Sequence, residues 1–197
     1  MPASLENGPV PAVAGAEIIV ADTSPVRVFV EAGAQRAFAE YLGTRVRITV
    51  DVRRELEDAA RSVPGVRLLL RDWPPSEPVD LPVALMQKAA DILGFIADDP
   101  LASLQDLGEV TSVLLAEHLR AIGECRRPLL LLDDVRHGKN LARPRGLEVV
   151  DTPALVVEMV CAEAISRELG KRLWRAAFSD RSKWPAFDER LRQVCGK

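Results

Sequence analysis

The chain has few of the residues that build the commonest metal and catalytic sites. It contains three cysteines and two histidines in 197 residues. No Cys-x-x-Cys pair and no Cys/His cluster occurs, which argues against zinc. Cys125, Cys161 and Cys195 are an odd number without metal spacing, and we expect free thiols in a reducing cytoplasm. His118 and His137 have no obvious catalytic partner in the sequence, so we expect them to serve packing or to lie on the surface.

The sequence also lacks a membrane span, a secretory signal and an excess of basic charge. No run approaches the roughly 18 to 20 apolar residues of a transmembrane helix. The first residues contain no basic region followed by an apolar core. The formal net charge is −3, so contact with nucleic acid would require a local basic patch. We therefore predict a cytoplasmic protein with no membrane partner.

What is present is typical of one globular domain with additions at both ends. Hydrophobic residues make up 48% of the chain, which is enough for a core. Residues 1–16 are rich in Pro, Ala and Gly and are predicted to form a flexible leader. Residues 17–166 are predicted to form the domain. Residues 167–197 are predicted to form a helical C-terminal extension that contains Trp174 and Trp184.

Short apolar runs alternate with longer helical patterns along the domain. Strands are predicted at 17–21, 46–50, 128–132 and 147–150, because these runs are apolar or rich in β-branched residues. Residues 66–70 fit a short strand or the end of a turn. The remaining patterns predict helices at 26–31, 34–42, 51–60, 82–97, 107–122, 135–142 and 152–170. This order predicts an α/β fold with a parallel sheet.

Four acidic residues stand where a predicted strand ends or a predicted helix begins. They are Asp22, Glu55, Glu109 and Asp134. In open α/β sheets, sites form at the carboxyl ends of parallel strands, so acids distant in sequence can converge there. Converging carboxylates repel one another, and hard oxygen ligands suit Mg²⁺ or Mn²⁺. The pattern therefore predicts a site for a divalent cation.

Four segments that contain these acids, in this order, resemble the motifs of the PIN-domain family, the ribonuclease fold of VapC-type toxins. They are residues 18–25 (IIVADTSP), 47–56 (RITVDVRREL), 106–116 (DLGEVTSVLLA) and 131–136 (LLDDVR). The Gly-Glu form of the third motif and the Asp-Asp form of the fourth together point to an uncharacterised branch of that family. The resemblance covers residues 17–166.

The resemblance implies a three-layer α/β/α domain with a central parallel sheet of about four strands. It implies a metal-dependent endoribonuclease, with Asp22, Glu55, Glu109 and Asp134 as catalytic residues. Asp22, Glu109 and Asp134 would bind Mg²⁺ or Mn²⁺, and a metal-bound water would attack the RNA phosphodiester. It further implies the toxin of a type II toxin–antitoxin pair, a small antitoxin protein as partner, and a homodimer.

Several assignments stay open at this point. Asp133 is nearly as good a candidate as Asp134, which we prefer because the last acid of the family stands where strand gives way to helix. Thr23 and Ser24 could bind a ligating carboxylate or a water, or could simply cap the following helix. Three further acids could serve as auxiliaries or as surface charges. These are Asp51, Asp58 and Asp106.

A group of basic residues near the third strand is a candidate RNA-backbone surface, because phosphate contacts need cations. The alternative is a solvated charged face. The aromatic residues of the extension favour packing, on the domain or on a partner chain, over stacking on bases. The predicted RNA-binding residues are Arg126, Arg127, Arg136, Lys139 and Arg143.

Two rival functions come from other classes. A non-catalytic PIN scaffold that binds RNA or protein would share the fold without turnover. A receiver domain of the response-regulator type would need an acidic pair at the first strand and a strand-end lysine after Asp134. The sequence offers neither, so we rank the receiver domain low.

Overall fold

The structure, a computed structural model of the chain, describes residues 13–72, 78–96, 106–133, 138–178 and 180–196. Within these residues the strands form one sheet in the order β2-β1-β3-β4, and every neighbouring pair is parallel. In register, Ile19 lies beside Val46 on one side and Leu129 on the other, and Leu129 lies beside Glu148. The strands are β1 Ile19–Ala21, β2 Val46–Arg47, β3 Leu129–Leu131 and β4 Glu148–Val150.

Helices connect and cover these strands. Short 3₁₀ turns precede β1 and β2 and also follow α7 and α9. The helices in the described part of the chain are α1 Thr23–Glu31, α2 Gln35–Leu42, α3 Val50–Ala59, α4 Pro64–Asp72, α5 Val83–Ile96, α6 Leu107–Ala121, α7 Asn140–Ala142, α8 Thr152–Cys161, α9 Arg167–Ala177 and α10 Ala186–Cys195. None of these helices is both long enough and apolar enough to cross a membrane.

The sheet has a separate hydrophobic core on each face. Successive side chains of a strand point to opposite faces. Ile19 and Leu131 accordingly join the core formed with α1, α2, α3, α4, α8, α9 and α10, whereas Val20 and Leu130 join the core formed with α5, α6 and α7. Helices thus cover both faces, and the predicted three-layer α/β/α fold with a four-stranded parallel sheet is confirmed.

Two local predictions differ from the structure near β2. The predicted strand 46–50 ends at Arg47, because Thr49 caps α3: its hydroxyl oxygen accepts a hydrogen bond from the Val52 amide at 3.2 Å. Thr49 also forms an isolated bridge with Val79. Residues 66–70, left open between strand and turn, belong to helix α4.

The predicted helix 152–170 is two helices. α8 ends at Cys161, Glu163 adopts a positive φ of 58°, and Ser166 caps α9 through the Leu169 amide. The aromatic residues of the extension pack inward: Trp174 is 3% exposed and lies with Phe187 in the same core as α1. The extension therefore covers the domain through its own side chains.

The expectation of three free thiols is wrong for two of them. Cys161 and Cys195 form a disulfide with their Cα atoms 5.4 Å apart, which joins the ends of α8 and α10. The two residues are 34 positions apart in sequence, yet packing of α10 on α8 brings them together. Cys125 is free and buried.

The predicted leader, residues 1–16, falls largely outside the described residues, but its last four residues are held against the domain. The amides of Val13 and Ala14 donate to the Glu158 carboxylate at 2.9 and 2.8 Å. The Arg45 guanidinium donates to the carbonyls of Val13, Ala14 and Ala16 at 2.7, 3.0 and 3.3 Å. Residues 13–16 are therefore fixed against α8 and Arg45 before β1 begins.

Candidate active site

Asp22 is the most deeply buried acid at the carboxyl edge of the sheet. It follows β1, and its amide donates to the Leu131 carbonyl at 3.1 Å, which fixes it beside the end of β3. Its carboxylate caps α1, accepting from the Ser24 amide at 3.4 Å, yet the residue is only 2% exposed. Burial raises the pKa of Asp22 to about 7, and the charges of Glu55 and Asp133 add to the rise. The charged form of Asp22 is therefore costly in this pocket.

Glu55 is held at the same edge by two donors. The Thr23 hydroxyl donates to Glu55 Oε2, and the Gly108 amide also donates to the carboxylate. Burial raises the pKa of Glu55, although both hydrogen bonds act in the opposite direction. Of the two roles left open for Thr23, bonding to an acidic side chain is therefore the one observed. Ser24 contributes its backbone amide to Asp22, and its side chain is exposed.

The helices that carry Glu55 and Glu109 are joined at their first turns. The buried hydroxyls of Thr49 and Thr111 lie 3.1 Å apart, and Thr111 also bonds to the Leu107 carbonyl at 2.8 Å. This contact brings the N-terminal end of α6 against α3. It explains how acids 54 positions apart in sequence (109 − 55) reach one edge of the sheet.

Glu109 lies in the first turn of α6, where a negative charge is favoured by the helix dipole. Its Oε2 atom is buried. A Cβ placed on Gly138 would lie 3.5 Å from that oxygen and 3.0 Å from Leu132 Cδ1. Gly138 therefore lies against both Glu109 and Leu132, and a side chain at position 138 would crowd Leu132.

Asp133 lies two residues after the end of β3, and its carboxylate contacts the N-terminus of α8. Its two oxygens accept from the Thr152 amide at 2.7 Å and from the Thr152 hydroxyl at 2.8 Å. Burial raises the pKa of Asp133, whereas the Thr152 bonds and the charge of Lys139 lower it. Asp133 is thus held in place at this edge of the sheet. Its negative charge contributes to the raised pKa of Asp22.

One lysine lies beside these acids. Lys139 donates to Asp151 at 2.7 Å, and its side chain is only 15% exposed. Asp151 in turn caps α8 through the Ala154 amide at 2.9 Å. Lys139 was predicted to bind RNA, and in the structure it is already paired within the site.

The predicted site residues divide into three groups. Asp22, Glu55, Glu109, Asp133 and Thr23 lie at the carboxyl edge of the sheet. Asp134 and Arg136 lie outside the described residues, as does His137. Arg126 and Arg127 precede β3, so they lie at the opposite, amino edge of the parallel sheet, and Arg143 begins the short 3₁₀ turn after α7.

The remaining acidic candidates are placed away from the group or at its border. Asp58 is exposed and pairs with Arg61 at 3.1 Å. Asp51, whose pKa is raised by burial, lies on α3 beside Glu55 and raises the pKa of that residue. Asp106 takes the N-cap position of α6 without a side-chain capping bond.

Sequence reasoning missed the groups that hold the acids in place. Gly108 supplies both an amide and the space that Glu55 occupies, since a Cβ there would lie 2.6 Å from Glu55 Oε1. Thr152 supplies both donors to Asp133. The available signals were the glycine that precedes Glu109 and the Asp151-Thr152-Pro153 helix start.

The donor chemistry fits a hard divalent cation, but the described residues do not form a complete ligand set. Carboxylates and a hydroxyl suit Mg²⁺ or Mn²⁺. The raised pKa of Asp22 is what a cation would reverse, by stabilising the ionised carboxylate. Within the described residues, no group of three or more His, Cys, Asp or Glu side chains is close enough to hold a metal ion. The predicted ligand Asp134 lies outside them.

Comparison with known proteins identifies no relative: no protein-family model, curated protein or solved structure matches this chain.

Proposed function

We propose that the chain is a PIN-like, Mg²⁺- or Mn²⁺-dependent endoribonuclease. The observation that carries the proposal is the buried Asp22 carboxyl, whose pKa is raised by burial and by the charges of Glu55 and Asp133. Capping α1 through the Ser24 amide would not require this environment, in which burial and like charges both disfavour ionisation. Strongly perturbed acids at a strand-end edge are typical of functional sites.

A divalent cation, when bound, would supply an activated water and would stabilise the charge that develops on the phosphate. Asp22 and Glu109 would hold it, with Asp134 as the third ligand. Thr23 and the Gly108 amide keep Glu55 oriented beside them. Thr152 fixes Asp133 at the start of α8, so the acids are positioned before any ligand arrives.

The decisive experiment measures cleavage of a labelled RNA in Mn²⁺ and in EDTA. We expect cleavage by the unmodified protein in Mn²⁺ only. Asp22→Asn and Glu109→Gln should each lower the rate by a factor on the order of 10² or more, because each removes one charged ligand.

Matched controls use acids on the surface. Asp58→Asn and Glu57→Gln make the same chemical changes at exposed positions that pair with Arg61 and Arg53. Both should cleave at the unmodified rate. Equal activity of Asp22→Asn, Glu109→Gln and the two controls would show that the nuclease assignment is wrong.

The resemblance to the PIN-domain family of VapC-type toxins also suggests a biological role. We propose that the nuclease is the toxin of a type II toxin–antitoxin pair, inhibited by a small antitoxin protein, and that it forms a homodimer. Expression without the antitoxin should then arrest growth, and Asp22→Asn should relieve the arrest.

A second candidate is a non-catalytic PIN-fold module that binds RNA or protein. It is favoured by the lack of a complete three-residue metal cluster among the described residues. Calorimetric titration with Mn²⁺ separates the two functions. Binding that is lost in Asp22→Asn supports the nuclease, and no binding by the unmodified protein supports the module.

A further inference from the structure

We infer that the amino edge of the sheet carries a second binding surface, which holds the phosphate backbone of single-stranded RNA. We call it the arginine groove: a cavity of about 300 Å³ lined by Arg120, Arg126, Arg127, Gly146, Leu147 and Glu148. The choice of RNA over other polyanions rests on the proposed function. The existence of a phosphate site rests on the groove alone.

The groove lies on the far side of the sheet from the acids. Arg126 and Arg127 precede β3, whereas Asp133 follows it. Arg120 lies on α6 eleven residues after Glu109 (120 − 109), which corresponds to roughly 16 Å along a helix axis. No single phosphate could contact both places, so the groove would act on a different part of the same strand.

The wall of the groove is fixed by one of its arginines. The Arg120 guanidinium donates to the Gly146 carbonyl at 3.1 Å and to the Arg145 carbonyl at 2.7 Å. Gly146 has a positive φ of 63°, which lets the chain turn there into β4. The loop that ends at Glu148 is therefore held against the end of α6, and the cavity between them is preformed.

The other two arginines are available to a ligand. Arg126 and Arg127 are exposed, and neither guanidinium has an ion pair or a hydrogen bond in the part of the chain that the structure describes. Three arginines line the groove against one acidic residue, Glu148. This excess of positive charge occurs on a protein whose net charge is −3, so it is local to the groove.

The lining favours phosphate over bases. A planar guanidinium matches the oxygens of a phosphate in pairs. None of the described residues that line the groove is aromatic, so stacking on bases has no platform there. The groove should therefore bind the backbone with little preference for sequence.

The test measures binding of a fluorescein-labelled single-stranded RNA of about 16 nucleotides, the upper end of common single-strand site sizes. EDTA is present, so cleavage plays no part. Arg126→Gln/Arg127→Gln is compared with Arg36→Gln/Arg61→Gln, which removes the same charge from two exposed arginines that pair with Glu40 and Asp58. We expect the groove variant to bind about tenfold more weakly, and its salt dependence (log K against log salt) to fall by about 1.4, for two lost contacts.

A competition experiment distinguishes an RNA backbone from a small phosphate-containing molecule as the ligand of the groove. Millimolar inorganic phosphate or adenosine monophosphate should displace the RNA only weakly, since one phosphate engages only part of the groove. Displacement at micromolar concentration would instead identify a small-molecule site and overturn the RNA inference. Equal affinity and equal salt dependence of the groove and control variants would also overturn it.

The outcome is independent of catalysis. If no cleavage is ever found but the groove variant loses affinity, the nuclease proposal fails and the groove stands. If cleavage is found but the affinity of the groove variant for RNA is unchanged, the groove proposal fails and the nuclease proposal stands.

Discussion

At the scale of single residues, the glycine at position 108 determines where the Glu55 carboxylate lies. The Gly108 amide donates to the Glu55 carboxylate, and a Cβ on Gly108 would lie 2.6 Å from Oε1 and 3.1 Å from Oε2 of that residue. Such close approach of backbone to a side chain requires glycine. The residue before Glu109 is therefore part of the site, although it carries no side chain.

Gly108→Ala should lower RNA cleavage by about tenfold or more while leaving the fold stable. The new methyl group must displace the Glu55 carboxylate and break its bond with the Gly108 amide. Alanine at the second position of α6 carries no helix penalty, so stability should change by less than about 1 kcal/mol. Cleavage rates and urea unfolding of the variant check both parts.

A second substitution tests whether the loss of cleavage in Gly108→Ala comes from displacement of the Glu55 carboxylate. Glu55→Asp shortens the side chain by one methylene, so Gly108→Ala/Glu55→Asp should lose less activity than the two single changes predict together. Additive losses would show that the methyl group acts elsewhere.

The sequence predicts where the acids lie better than it predicts what holds them. Strand ends and helix starts can be read from apolar runs and caps, which places Asp22, Glu55 and Glu109 at one edge. The contacts of Glu55 with Thr23 and Gly108 join three segments of the chain. Contacts of this kind depend on how α3 packs against α6, and no local pattern encodes that packing.

At the scale of elements, the three C-terminal helices pack around one glycine. A Cβ on Gly170 of α9 would lie 2.6 Å from Val160 Cγ2 of α8 and 3.0 Å from Phe187 Cζ of α10. Phe187 is buried in the main core, and the disulfide Cys161–Cys195 joins the neighbouring helix ends. Little room is left for these groups to move apart.

Gly170→Ala should therefore destabilise the protein. Overpacking a filled core costs about 1 to 3 kcal/mol, which exceeds the gain of up to about 1 kcal/mol from alanine in a helix. Gly94→Ala on α5 is the matched control, because nothing lies within 4 Å of its added methyl group. Urea unfolding should show a loss for the first variant and no loss for the second; a gain in both would mean that the helices adjust freely.

Element boundaries were predicted less well than element types. The break between α8 and α9 was missed because residues 162–166 contain no proline or glycine, and the chain turns there through Glu163 at positive φ. β2 was predicted too long because Ile48 and Val50 continue its apolar pattern. The Thr49 hydroxyl, as a helix cap, ends the strand earlier.

At the scale of the whole molecule, the two edges of the sheet differ in charge. The carboxyl edge gathers Asp22, Glu55, Glu109 and Asp133, and the amino edge carries the arginine groove. Parallel strands produce this separation, because every strand ends on one edge and begins on the other. The α/β class followed from the alternation of elements, whereas the disulfide depends on tertiary packing that sequence spacing does not reveal.

The buried acid makes the stability of the whole molecule depend on pH. The pKa of Asp22 is about 7 in the folded protein and 3.8 is its ordinary value. Between these values the folded state binds more protons than the unfolded state, so the free energy of unfolding falls as pH rises from about 4 to 7. The full loss attributable to Asp22 would be up to about 4 kcal/mol, and it is complete above pH 7.

Urea unfolding in EDTA at pH 5 and at pH 8 measures this loss, with Asp22→Asn as the reference that cancels all other titrating groups. We expect the unmodified protein to lose more stability between the two pH values than Asp22→Asn does. At pH 8, Mn²⁺ at a hundred times its dissociation constant should restore about 2.7 kcal/mol to the unmodified protein and much less to the variant, because the ion binds the ionised carboxylate. Parallel loss in both proteins, with no effect of Mn²⁺, would mean that Asp22 is neither strained by its charge nor a metal ligand.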